Sequence, residues 1–258
     1  MLKNKKLIIV IISIILIWLL VFGVILFVIP KINQKHGNQY GQEQNEEKIE
    51  DNFLKLFSNV TYDENEDDLV KSVLEVEKSV ENRYDIKAHI PKINLETCTS
   101  INDEIVEIFG GKILSVLDNE QEYTRYSLDY VYSVNDTIIS LVIKATLKEG
   151  NNPQRSIIKT YNYDVSTSSE IELSSILESK NLNKEEIQKQ IMNTVSLKNT
   201  DAQTLSSQGY NIFVRDLNSD EYKIENVENY YIDKNGQIYI IFAYGNNNFT
   251  ETIDVIKL

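Results

Sequence analysis

One cysteine, three prolines, two histidines and one tryptophan are spread over 258 residues. The lone Cys98 rules out an internal disulfide, so an exported form of this chain would fit a bacterial surface better than a small disulfide-stapled scaffold. His36 falls in a polar stretch and His89 stands alone further on, so no Cys/His cluster of zinc-ligand spacing exists. A Ser–His–Asp triad would have to use His89, which lies inside a strand-like pattern with no nucleophile elbow nearby. Cys98 and His89 are nine residues apart across Pro91, which is not a catalytic motif, and Cys98 reads as a small semi-buried side chain.

Other site chemistries are equally thin. The adjacent Gly110 and Gly111 lie in a helical pattern without the GK[ST] of a phosphate loop. Two acidic stretches, DENED at 63–67 and DLNSD at 216–220, begin like calcium loops. An EF-hand needs glycine sixth and glutamate twelfth, where these offer Asp68 and Leu74, and Glu221 and Val227. Both read as solvated acidic loops. No carboxylate pair stands out among 39 acidic residues as a glycosidase would require. The expectation is a non-enzyme without cofactor, metal or catalytic residues.

Basic charge is also short. Lys and Arg number 26, for a net charge of −13. Lys3, Lys5 and Lys6 precede an uncharged run from Leu7 to Ile29; without those three lysines, residues 31–258 carry −16. Nucleic acid and anionic lipid both require clustered Lys and Arg, so neither is an expected partner. A cationic protein or peptide is compatible with this charge, and acidity also keeps a surface domain soluble.

The run itself, LIIVIISIILIWLLVFGVILFVI, is interrupted only by Ser13 and Gly23. As a helix it spans roughly 35 Å, enough for a bilayer core. It is longer than a signal-peptide core and has no A-x-A-like cleavage site at its end. A retained membrane anchor is therefore expected at 7–29. The positive-inside rule puts residues 1–6 in the cytoplasm and the remainder outside, as a single-pass cell-membrane protein.

Beyond the anchor, residues 30–50 are polar and Gln/Asn-rich, and read as a tether. Residues 51–83 show patchy helical spacing at Phe53, Leu54, Leu56 and Phe57, then Leu69, Val73, Val76 and Val80, and read as a helical stalk or peripheral layer. An α+β domain with an antiparallel sheet and two or more packed helices is expected over 84–258, with halves at 84–165 and 166–258. Ile86, Ala88 and Ile90 alternate as in a half-buried strand ending at Pro91. Ile101, Ile105, Ile108, Phe109, Ile113 and Val116 form a helical stripe, weakened at Gly110 and Gly111. Three alternating segments follow as a meander: Tyr126 to Tyr132, Ile139 to Leu147, and RSIIKTYNYDV at 155–165. Asn183 with Glu186 signals a helix start, and Asn235-Gly236 a type I′ hairpin turn. ETIDVIKL closes the chain as a strand.

Fifteen tyrosines offer either stacking platforms or a sheet face. Tyr126, Tyr130, Tyr132, Tyr161 and Tyr163 sit in strand alternation and read as sheet face. AYGNNNFTE at 243–251 is different: a polar, turn-rich tract on a well-marked hairpin, with an unhidden aromatic. Tyr244, Asn246, Asn247, Asn248 and Phe249 are the candidate binding residues.

The order of YDIKAHIPKIN, the helix bearing IND, KTYNYDVSTSSEIELSSIL and YYIDKNGQIYIIFAYG resembles a family of extracytoplasmic domains of Gram-positive bacteria. That family includes the ectodomain of a lysozyme-sensing anti-sigma factor and the non-catalytic N-terminal region of a peptidoglycan deacetylase. The resemblance spans about residues 84–258 and implies a compact α+β binding domain. Tyr244 matches an aromatic of the family's last hairpin, whereas Gly245 to Asn248 replace the Pro-containing loop that helps the lysozyme sensor engage its enzyme. Only Met1 to Lys6 precede the anchor and no deacetylase segment follows Leu258, so neither anti-sigma nor deacetylase activity is expected. The expected function is binding or sensing of a cell-wall component (glycan) or an extracellular protein such as lysozyme. The alternative is a structural or assembly subunit of a cell-envelope complex.

Overall fold

A computed structural model describes residues 48–58, 60, 68–119 and 122–258. The expected anchor at 7–29, most of the tether and the DENED stretch lie outside them. No helix of the described residues is long and apolar enough to cross a membrane.

Residues 48–55 form helix α1. Strands β1 (Val70–Val80) and β2 (Tyr84–Ile93) follow, then helices α2 (Thr99–Ile105) and α3 (Gly111–Asp118), and strands β3 (Thr124–Asn135), β4 (Ile138–Glu149), β5 (Arg155–Asp164) and β6 (Ser169–Glu170). These six strands make one sheet in sequence order, antiparallel except where β2 runs parallel to β3 across the α2–α3 crossover. Helices α4 (Leu173–Ser179) and α5 (Lys184–Ser207) lead to a second antiparallel sheet of β7 (Tyr230–Ile232), β8 (Ile238–Ala243) and β9 (Ile253–Lys257). The protein is thus α+β with antiparallel-rich sheets and several helices.

Side-chain alternation stacks these elements in four layers. Ile86, Leu128, Leu141 and Tyr161 on one face of the large sheet meet Ile101, Ile105, Phe109 and Ile113 of α2–α3. On the opposite face, Val142 and Ile158 pack against Tyr231, Ile241 and Val255 of the small sheet, together with Phe53 of α1. The other side of the small sheet, Ile232, Ile240 and Ile256, buries Ile176, Leu177, Ile187 and Ile191 of α4 and α5. The expected helix start holds: the Asn183 side chain accepts from the amides of Glu185 and Glu186.

A polar seam joins the two sheets. Strand β7 has β8 on one side only, and side chains of the large sheet satisfy its other edge. Ser140 Oγ accepts from Ile232 N (3.0 Å), and Ser133 Oγ donates to Ile232 O. Thr160 Oγ1 accepts from Tyr230 N (3.1 Å), while Asn162 Nδ2 donates to Tyr230 O (2.9 Å). In return, Asn229 Oδ1 accepts from Thr160 N (3.0 Å). Buried backbone groups left unpaired would cost about 1–3 kcal/mol each, so these four polar residues stay inside as surrogates for a strand.

Several expectations need correction. The helical spacing of 51–83 is helix only in the piece belonging to α1. Val73, Val76 and Val80 belong to an edge strand, because their branched side chains suit a pleated surface and β2 supplies a pairing partner. Strand β2 also runs past Pro91 to Ile93; Pro91 lies opposite the Ser72/Leu74 bulge, where no ladder hydrogen bond is needed. The Asn235-Gly236 turn is not type I′, since only Gly236 has positive φ (+78°) and Asp233 Oδ1 instead accepts from Asn235 N and Gln237 N. The double glycine does more than weaken a helix: Val106–Gly110 is a π turn joining α2 to α3. Of the five sheet tyrosines, Tyr126, Tyr130, Tyr161 and Tyr163 are buried but Tyr132 is exposed, and Cys98 is fully buried.

Candidate functional site

Strand β8 ends in a 3₁₀ turn, Tyr244–Asn246, and the chain then loops to β9. Tyr244 points inward. Its hydroxyl donates to Asp254 Oδ2 (2.6 Å) and lies 3.1 Å from the hydroxyl of Tyr222. The Phe213 ring is 4.6 Å away, and the Arg215 guanidinium sits 5.4 Å from the Tyr244 ring centroid. Arg215 also forms two bonds of 2.6 Å to the Asp254 carboxylate, and Lys198 Nζ approaches that group at 3.6 Å. Lys198 in turn pairs with Glu50 of α1. Burial opposes the charge on Arg215, yet the Asp254 carboxylate holds its pKa above the ordinary value. Burial first, and Asp254 second, raise the Tyr244 phenol well above the usual tyrosine value. Tyr244 is therefore a fixed neutral donor beneath the loop.

The next two residues are clamped to β5. A Cβ on Gly245 would lie 2.1 Å from the Ser156 carbonyl oxygen, a close backbone approach that only glycine permits. The Asn246 amide accepts from Ile158 N and donates to Ile158 O, each at 2.9 Å, so it pairs with the edge of β5 as a neighbouring strand would. Arg155 completes the clamp with bonds of 2.8 Å to the carbonyls of Gly245 and Asn246. Gly245→Ala is expected to cost about 1–3 kcal/mol, because the neighbour is backbone and cannot swing away. A thermal melt matching wild type, with unchanged amide exchange at Ser156, would contradict this packing.

Beyond the clamp the loop turns outward. Asn247, Asn248 and Phe249 are exposed; Phe249 retains 51% of its surface, and the Arg155 guanidinium lies 5.5 Å from its ring centroid. Behind the loop opens a cleft of about 470 Å³, bounded by the segment 220–229 and the end of β8. Val227, Ile241 and Phe242 line it with apolar surface. Asp220, Glu221, Glu225 and Glu228 contribute the charge, and no lysine or arginine lines it. Lys223 is drawn aside to Asp220 at 2.7 Å. A second cleft of about 460 Å³, near the β1 bulge, mixes Lys92 with Glu96 and Asp103.

Of the five candidate residues, Asn246 and Asn247 line the acidic cleft. Tyr244 supports it from below, and Asn248 and Phe249 occupy the exposed turn beside it. The carboxylate rim escaped sequence reasoning, which took DLNSD only as a failed calcium loop; the signal available was the acid density of 216–228. Among the described residues no group of three or more His, Cys, Asp or Glu side chains converges as a metal site.

The buried phenols give the domain a pH dependence. Burial is the leading cause that holds Tyr126, Tyr161, Tyr222, Tyr230 and Tyr244 above the ordinary tyrosine pKa. The folded state therefore binds these protons more tightly than the unfolded state does. Their contribution is complete below the unfolded value of about 10 and is lost as pH rises above it. Urea titrations are expected to show stability falling steeply above about pH 10. A flat profile there would contradict this assignment.

Fold and cleft together define an α+β domain with a pocket at the end of its last hairpin. No protein-family profile matches the chain, and no curated protein matches it either. Among solved structures, a DUF3298 family protein from Pseudomonas aeruginosa is similar at 12% identity and a TM-score of 0.43, covering 73% of this chain and 87% of that one. A DUF3298 family member from Bacteroides fragilis is similar at 10% identity and a TM-score of 0.40, covering 73% of this chain and 89% of that one.

Proposed function

We propose that the chain is a membrane-anchored, non-enzymatic extracytoplasmic domain that binds or senses a cell-wall component or an extracellular protein. The observation that carries this reading is the acidic cleft, which lies beside the exposed turn Asn247–Phe249 on a clamped hairpin. Binding surfaces commonly take this form, with a presented loop on a rigid scaffold and a concave pocket next to it. The apolar run at 7–29 and the polar stretch after it supply the anchor and tether of the reading. To test it, the full chain in lipid nanodiscs is titrated with soluble peptidoglycan fragments and with lysozyme. Saturable binding to one of them supports the proposal, and no binding to either overturns it.

A second reading, as an assembly subunit of a cell-envelope complex, draws on a different surface. Tyr210, Ile212 and Val214 project outward from an extended segment after α5, with Tyr210 61% exposed. No charged residue occurs between Asp201 and Arg215. Purification of the full chain in mild detergent separates the readings, since a subunit brings stoichiometric membrane partners.

A further inference from the structure

The segment after α5 presents an exposed apolar row. Tyr210 N donates to Leu205 O (3.2 Å), which sets Tyr210 beside the last turn of α5. Phe213 and Arg215 then turn inward, Phe213 against the Tyr244 ring and Arg215 to the Asp254 carboxylate. Alternation about these two inward anchors leaves Ile212 and Val214 outside. Leu205, Tyr210, Ile212 and Val214 are all exposed, and no charge falls between Asp201 and Arg215 in a chain of net charge −13.

The row ends where the chain from the apolar run enters the fold. Arg215 N donates to Asn199 Oδ1 (2.9 Å), and Arg215 Nη1 donates to Lys198 O (3.2 Å). Lys198 in turn pairs with Glu50, in the first turn of α1. Only residues 30–47 separate α1 from the run at 7–29. Those residues reach at most about 65 Å when fully extended, so α1 and the row beside it stay near whatever surface holds the run.

Resting on the anchor of the reading above, we infer that Leu205, Tyr210, Ile212 and Val214 form a membrane-contact surface that lies in the headgroup region of a zwitterionic lipid bilayer. Placement and composition select this occupant over a protein. The row borders the entry of the anchored chain, and its aliphatic side chains suit the acyl boundary while a tyrosine keeps its hydroxyl at the headgroups. Residues 31–258 carry −16, so an uncharged stretch is the part of this domain that approaches headgroups at least cost. Four side chains would not hold a free domain on a membrane. Anchoring raises their local concentration at the bilayer, so a weak contact suffices. Such a contact turns α5 toward the bilayer and leaves α2–α3, in the opposite outer layer, facing away.

The full chain is labelled with an environment-sensitive fluorophore at Ile212→Cys or at Tyr210→Cys, the native Cys98 being buried. Leu114→Cys, on the exposed side of α3, serves as the distant control. Each is placed in phosphatidylcholine nanodiscs with and without a lipid carrying a nitroxide near its headgroup. The labels at 210 and 212 are expected to lose about half of their emission to the nitroxide lipid, and the label at 114 to lose none. Ile212→Ser combined with Val214→Ser is expected to restore the emission of the label at 210 while leaving the thermal melt in place. Emission at 210 and 212 that matches the control overturns the inference and leaves the anchor reading intact. A stoichiometric membrane protein that co-purifies with the wild-type chain and is lost from the double serine variant also overturns it, since the row then docks a protein. A chain that does not enter nanodiscs at all defeats the anchor reading and this inference together.

Discussion

Asp254→Ala is expected to lower the unfolding free energy by about 3–5 kcal/mol, because it leaves the Arg215 guanidinium buried without its partner. Asp254 has no exposed surface and accepts both Arg215 bonds and the Tyr244 hydroxyl. Its loss would strip three charge-assisted contacts at once and leave Lys198 with Glu50 alone. The pair contributes little relative to a dry core, however, since two charges had to leave water to form it. Arg215→Met with Asp254→Leu is therefore expected to lose far less than the single change. Urea titrations of the two variants in detergent, followed by far-ultraviolet dichroism, make the comparison. A single-variant loss under about 1 kcal/mol would show that the pair behaves like an exposed one.

Tyr161→Ala is expected to cost about 3–5 kcal/mol, the range for removing a large buried aromatic. Tyr161 lies on the inner face of β5 opposite Leu141, and its hydroxyl reaches Glu104 at 3.4 Å. Lys159 bridges to the same Glu104 at 2.8 Å and lies 5.7 Å from the Tyr161 ring centroid. Tyr161→Phe removes only the hydroxyl contact and is expected to cost about 1 kcal/mol. Equilibrium unfolding distinguishes the two sizes of effect. An alanine variant that stays folded at wild-type stability but loses ligand would move the binding site to the α2–α3 side of the large sheet.

Local patterning made much of the fold readable. The meander appeared in the alternation of Tyr126 to Tyr163, and α5 in its asparagine cap and the spacing of Ile187, Ile191 and Val195, because both patterns repeat within a few residues. Leu69 to Val80 misled for the same local reason: Leu69, Val73, Val76 and Val80 fit a helical stripe, and only pairing with β2 selects the strand. In the candidate site, the tract after Tyr244 was visible as polar and turn-rich, whereas the division of labour within it was not. Tyr244 faces Asp254, ten residues away, and Asn246 faces Ile158, eighty-eight residues away.

The sequence by itself determined the α+β class, the candidate loop and the expectation of an acidic domain behind an apolar run, since periodicity and charge are properties of short stretches. The tertiary structure alone decided that the small sheet stacks on the large one. Ser133, Ser140, Thr160 and Asn162 look like a solvated strand face, and become a buried seam because β7 brings unpaired backbone to them. The cleft arises from the same stacking. Its carboxylates come from the segment before β7, its apolar lining in part from β8 and its wall from a loop clamped to β5, and nothing local in the sequence joins the three.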